Sequence, residues 1–235
     1  MNNIFLVPSG IYTKQTLFSV EDRINQTIET AIDIRKKVPD VKLYLLEGGD
    51  KSLSFDERSK FLEVYDDVLD FTGHEVIKFS HQLGGGTMKS SCETYMLMQS
   101  IKLLNVPEQS RIFKICGRYR LSDRFDLSKH HSATGKYLFK NKEPGLEFIA
   151  EYTKSKTSLY RYETRLFSFC GSIFDTVVKD FEKIFYSLID MYSNNLYNDV
   201  EHMTYMVLDQ SLVLDTDCIG VAGLRGEEKD SIIDE

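Results

Sequence analysis

Short apolar runs alternate with longer stretches in which apolar residues recur every three or four positions, and this rhythm holds through the first half of the chain. Residues 4–7 form an apolar run closed by Pro8, Ser9 and Gly10, the pattern of a buried strand ending in a turn. Ser19 is placed to cap a helix from Val20, with Glu21 and Asp22 in its first turn and Ile24, Ile28, Ala31 and Ile32 on one face; Pro39 ends it. The pattern then predicts a second strand over 41–46 with Gly48 and Gly49 behind it, and a second helix over 55–69. A third strand follows over 76–79, a third helix over 87–104, and a fourth strand over 112–116 that runs into Gly117.

The second half changes character. Residues 137–139, 146–152 and 162–169 read as strands, some of them antiparallel, and a long helix follows that bears Ile173, Phe174, Val177, Phe181, Ile184, Phe185, Leu188 and Ile189. A short helix over 199–208 precedes an apolar strand at 212–214 and a glycine-spaced segment, 220–223. Strands and helices in strict alternation imply right-handed crossovers. The expected fold class is therefore α/β: a single Rossmann-like, mainly parallel sheet flanked by helices, with some antiparallel strands in the second half.

Composition narrows the class without changing it. At 235 residues, 42% hydrophobic and 28% charged, the chain is long enough for a substantial core, and four prolines with no Gly/Ser linker favour one domain. Residues 1–224 are expected to form it, leaving 225–235 as a charged tail expected to fray. No apolar run is long enough for a membrane span and the first residues do not read as a signal peptide, which points to a cytoplasmic protein. A net charge of −7, from 29 basic and 36 acidic residues, argues against nucleic acid or anionic lipid as a partner. The four cysteines are widely spaced with no C-x-x-C pair, as buried reduced thiols would be.

Sheets of this kind bind ligands beyond the carboxyl ends of their strands. There the sequence places Pro8, Ser9 and Gly10; Glu47, Gly48 and Gly49; Gly84, Gly85 and Gly86; and Gly117, Arg118 and Tyr119. The glycine triplet with Thr87, Lys89 and Ser90 suits a phosphate cradle, or else a flexible connection with a solvated lysine. Glu47 is placed to accept hydrogen bonds from a ribose or base, or to be a surface turn acid. Arg23 is placed to pair with phosphate, or with Asp22 or Glu21 at the surface. Arg118 suits a diphosphate and Tyr119 a stacking or hydrogen-bonding role. Asp123 and Asp126 are candidate metal or sugar contacts, while Asp215 and Asp217 have D-x-D spacing after the last helix rather than after the central strand. Glu201 and His202 open a helix, where an acid complements the helix dipole or, beside a crevice, serves as a general base.

Four local patterns, in this order, resemble small glycosyltransferases of the A-type (GT-A) fold found in bacterial and viral surface-polysaccharide clusters. They are Arg23, Gln26, Thr27 and Thr30 on the first helix; Lys114, Gly117, Arg118, Tyr119 and Leu121 at the fourth strand's end; residues 164–167; and Glu201 with His202. The resemblance implies transfer of a hexose from a nucleotide-sugar donor, UDP-linked in the first instance, to a carbohydrate acceptor. Residues 1–121 would then be the nucleotide-binding half and 122–224 the acceptor half. Pro8, Ser9, Gly10, Arg23 and Glu47 would surround the nucleoside, and Lys89 and Arg118 the diphosphate; Glu201 would be the base. Such enzymes commonly hold a divalent metal, Mn or Mg, through D-x-D; here the fourth strand ends in Gly117, Arg118 and Tyr119, and cationic side chains can stabilise a leaving diphosphate instead. A nucleotidyltransferase and a non-catalytic carbohydrate- or nucleotide-binding module are the competing readings.

Overall fold

The computed structural model describes residues 2–14, 17–104, 106–145, 160–224 and 232–235. The chain runs β1 (Asn2–Ser9), α1 (Val20–Lys37), β2 (Val41–Glu47), α2 (Phe55–Leu62), β3 (Asp67–Asp70), α3 (Glu75–Leu83), α4 (Gly86–Leu103) and β4 (Ser110–Ile115). It continues with β5 (Tyr119–Leu121), α5 (Leu127–Ser132), β6 (Tyr137–Lys140), β7 (Glu143–Pro144), β8 (Tyr160–Arg161), β9 (Leu166–Cys170), α6 (Phe174–Ser193), α7 (Val200–Val207), β10 (Val213–Thr216), β11 (Val221–Leu224) and β12 (Ile232–Asp234).

Seven strands make the central sheet in the order β10-β6-β9-β4-β1-β2-β3. β4, β1, β2 and β3 are parallel, and β9 alone runs against its neighbours β4 and β6. A smaller antiparallel sheet, β12-β11-β5, lies under the first. Side-chain alternation along the central strands splits the interior into two layers. Ile4, Leu6 and Ile112 face a core completed by Met96, Leu97 and Ile101 of α4, Phe181 and Ile184 of α6, and Met203 of α7. Phe5, Val7, Phe113 and Ile115 face the other way, onto Ala31 and Ile34 of α1, Phe61 of α2 and the small sheet. The Phe5 and Phe113 rings stack across β1 and β4 with centroids 4.3 Å apart.

Helix α1 starts where expected because Ser19 and Asp22 form a reciprocal capping box: Asp22 N–H donates to Ser19 Oγ at 3.1 Å and Ser19 N–H to Asp22 Oδ2 at 3.0 Å. Such a cap is worth about 1 kcal/mol. Ser54 and Glu57 repeat the device at α2.

Three expectations change. The second helix stops at Leu62, where Val64 and Tyr65 N–H both turn back onto Phe61 O, and the residues that follow form β3 beside β2. Asp66 holds this corner by accepting Leu43 N–H at 2.8 Å and pairing with Arg35 at 3.0 Å. The run 76–79 is helical, within α3: Ile77 and Ser80 are buried while Lys78 and Phe79 are exposed, a three-residue spacing that a run this short does not distinguish from a strand. The tail is ordered at its end. Ile232–Asp234 pair with β11, and the Glu235 carboxylate bridges Arg165 at 3.0 Å and Lys140 at 3.1 Å. The strand expected over 146–152, and residues 225–231 of the tail, lie outside the described residues.

Candidate active site

A cleft of about 210 Å³ opens beyond the carboxyl ends of β1, β2 and β4. Pro8, Ser9 and Gly10 form one wall, Gly117 and Arg118 a second, and Gly84, Gly85 and Lys89 a third; Arg23 enters from α1. The strand ends are stitched together by backbone bonds, Gly48 N–H to Ser9 O at 2.9 Å and Gly117 N–H to Pro8 O at 3.1 Å. Cys92, Glu93 and Met96 of α4 line the same space.

Besides Lys14, which is exposed and pairs with Asp50 at 3.2 Å, three cations converge here for reasons legible in the fold. Arg23 lies one turn into the helix after β1, Lys89 lies in the first turn of α4, and Arg118 immediately follows β4. Burial and then the nearby Arg118 lower the pKa of Arg23, and the same two causes lower that of Lys89. Arg118 lies over the Tyr119 ring, 5.5 Å from its centroid, and its Nε is buried with no hydrogen-bond partner. An anion would relieve all three groups at once.

The backbone beside them is shaped for close approach. Gly84 (φ 69°, ψ −172°) and Gly85 (φ 86°, ψ 163°) occupy a region that essentially only glycine enters. Gly85 has open space around it, lines the cleft and opens the 18-residue helix α4 with no side-chain cap. Gly49 is required by contact instead, since a Cβ there would lie 2.8 Å from the backbone oxygen of Tyr12.

Pro8, Ser9, Gly10, Arg23, Lys89, Gly117 and Arg118 thus share one cleft. Glu47 does not face it. Glu47 is fully buried, and its Oε1 accepts Ile11 N–H and Gly49 N–H, each at 2.9 Å, so it fastens the loop after β1 to the turn after β2. Desolvation pushes its pKa up to about 7, against those amide bonds and the favourable charge of Arg23. The Tyr119 ring packs in the lower core, and its carbonyl accepts the Thr30 hydroxyl at 2.7 Å.

The carboxylates assemble differently from expectation. Lys114, fully buried on β4, pairs with Glu93, donates to Thr164 O and sits 3.0 Å from Cys116 Sγ. The Thr164 hydroxyl in turn donates to Glu201 Oε1 at 2.9 Å. Glu201 itself does not line the cleft; Thr164 and Lys114 connect it to Glu93, which does. Burial, with the negative charges of Asp199 and Glu93, raises its pKa to about 7. His202 is 1% exposed and hydrogen-bonded through Nδ1 to Asp199 at 2.6 Å, which places it in the core rather than at the cleft. Glu93 and His81, whose Nε2 donates to Gly48 O at 2.7 Å, were not singled out from sequence. The spacing of Glu93, one turn after Lys89 on one helix face, was the available signal.

The candidate metal acids do not meet. Asp123 is exposed and lies 3.5 Å from Lys37, while Asp126 caps α5 by accepting Ser128 N–H at 2.9 Å. Asp217 bonds Asn141 at the far edge of the sheet. Among the described residues no three of His, Cys, Asp and Glu gather closely enough to hold a metal ion, and Glu93, the one carboxylate among the described residues lining the cleft, is committed to Lys114. This donor set does not suit the divalent metal of the wider fold family.

No family model matches the sequence, and no curated protein matches it significantly. Solved structures do match the fold. Core-mannan synthase A from Aspergillus fumigatus, in its Mn/GDP form, superposes with a TM-score of 0.55 at 9% identity, over 96% of this chain and 74% of that one. Mouse xyloside xylosyltransferase 1, apo form, superposes with a TM-score of 0.50 at 9% identity, over 92% of this chain and 85% of that one. The fold is GT-A-like. No helix among the described residues is long and apolar enough to cross a membrane.

Proposed function

We propose that this protein transfers a glycosyl unit, a hexose on the sequence reading, from a nucleotide-sugar donor to a carbohydrate acceptor. The observation that carries this reading is the convergence of Arg23, Lys89 and Arg118 with the uncapped start of α4 in one cleft at the strand ends of a fold shared with glycosyltransferases. The cations and amides suit the diphosphate. Pro8, Ser9 and Gly10, which line the cleft at the end of β1, are the residues proposed to hold the nucleoside. Glu47 acts indirectly by holding that loop.

In the reaction an acceptor oxygen attacks the anomeric carbon, the bond from that carbon to the diphosphate oxygen breaks, and the proton passes to Glu201. A base with a pKa near 7 is well matched to neutral pH, ionised in part and still able to take a proton. The departing diphosphate takes the bonding pair, and its charge is met by Arg118, Lys89 and Arg23.

Incubation with a panel of UDP- and GDP-sugars and short saccharides, reading free nucleoside diphosphate and elongated product, tests the proposal. Product from at least one pair is expected. A protein that binds these donors but releases no diphosphate with any acceptor is a binding module, and a nucleotidyltransferase would instead release pyrophosphate from a nucleoside triphosphate.

A further inference from the structure

A nucleotide-sugar donor brings two phosphates into the cleft and leaves more charge on them when the sugar departs. In this cleft, cationic side chains are the groups that can meet that charge. The strand end where A-type enzymes commonly carry paired acids here carries Arg118, whose guanidinium reaches the cleft with a buried, unpartnered Nε. The lining holds Arg23, Lys89 and Arg118, with the exposed Lys14 paired to Asp50, against one carboxylate, Glu93, which Lys114 already neutralises. Asp123 and Asp126, the nearest acids in sequence, are drawn off to Lys37 and to the cap of α5.

We propose that Arg23, Lys89 and Arg118, together with the amides that open α4, bind the donor diphosphate and neutralise it on departure without a divalent cation, an inference that rests on the glycosyl-transfer reading of this cleft. Guanidinium groups suit the task, because each offers several donors in a plane that matches phosphate oxygens and stays charged at every working pH. The helix amides add fixed donors that need no reorganisation when charge develops. The arrangement also costs the empty protein something, since three like charges are held together with burial already disfavouring two of them.

The test is calorimetric titration of UDP and GDP, once in EDTA and once with Mn²⁺ or Mg²⁺, on the whole chain and on Lys89→Met, Arg118→Met and, as a remote cation control, Lys36→Met. Affinity for the preferred nucleotide should agree within about threefold between the two conditions. Each cleft variant should lose at least tenfold in EDTA, with the melting temperature of the unliganded protein unchanged or raised as repulsion is relieved; the control should bind as the parent does. Binding that appears only with the metal overturns this inference and leaves the donor reading standing. Unchanged affinity in both cleft variants also overturns it. Failure of either nucleotide to bind under any condition overturns the donor reading itself.

Discussion

Lys114 and Glu93 form an ion pair across the boundary between the sheet and α4, with the lysine fully buried and the glutamate on the wall of the cleft. The same ammonium reaches Thr164 O, and the hydroxyl of Thr164 reaches Glu201. One buried charge thereby ties together the helix that carries Lys89, the strand that delivers Arg118 and the segment that orients the proposed base.

Breaking this pair from one side should be costly. Lys114→Met leaves Glu93 uncompensated and is expected to destabilise the fold by about 3 kcal/mol or more. Adding Glu93→Gln removes the stranded charge and should recover part of that loss. Urea unfolding of the two single variants and the double variant gives the coupling directly; simple additivity would show that the pair does not act as a unit.

Glu201→Gln should lower turnover at least a hundredfold while nucleotide affinity stays within about twofold of the parent. For the parent, turnover should rise with pH through an apparent pKa near 7, as Glu201 ionises. Full activity in the variant would remove Glu201 from the role of base.

Glu47 gives a pH signature in stability rather than rate. Its folded pKa is raised from 4.5 to about 7, so the folded state holds its proton where the unfolded chain has released it. The stability linked to Glu47 is complete below about pH 4.5 and is lost as pH rises through 7, by up to about 3 kcal/mol. Melting curves of the parent and Glu47→Gln between pH 4.5 and 8 should differ in slope by that trend, with the variant flatter.

Gly85→Ala tests conformation without crowding, because a Cβ there meets open space while its φ of 86° disfavours any side chain. A cost of about 1–3 kcal/mol is expected, with nucleotide affinity at least fivefold weaker as the start of α4 shifts. Gly73, which also faces open space but lies outside the cleft and has no positive φ, is the control, and its alanine variant should bind normally.

Asp126→Ala should lower stability slightly through loss of the α5 cap and should leave nucleotide binding unchanged with or without Mn²⁺. A metal-dependent loss of affinity in this variant would restore Asp126 as a ligand.

The strand-end loops were legible in the sequence because each is punctuated by glycine, proline or a charged residue directly after an apolar run, and the expected cleft residues at Pro8, Ser9, Gly10, Lys89 and Arg118 follow from that punctuation. The direction of Glu47 was not, since a buried acid serving two backbone amides and an exposed turn acid look alike in one dimension. His202 follows the same logic: its partner Asp199 also caps the helix, and local spacing does not reveal that both are enclosed. The partnership of Glu93 with Lys114 is a contact between a helix and a strand, which no periodicity encodes. The run at 76–79 is not legible as a helix because four apolar-rich residues fit either period, and only burial distinguishes them.

The reversed strand β9 has a consequence of its own. Because β9 runs opposite to β4, the stretch that enters it, Thr164 and Arg165, arrives at the rim where β4 exits, and Cys116 N–H bonds Arg165 O at 3.1 Å across that junction. An all-parallel neighbour would have brought only a departing loop there. A single change of direction in mid-sheet therefore gives the rim an incoming segment as well as outgoing ones, so the residues at that rim are drawn from separate stretches of polypeptide.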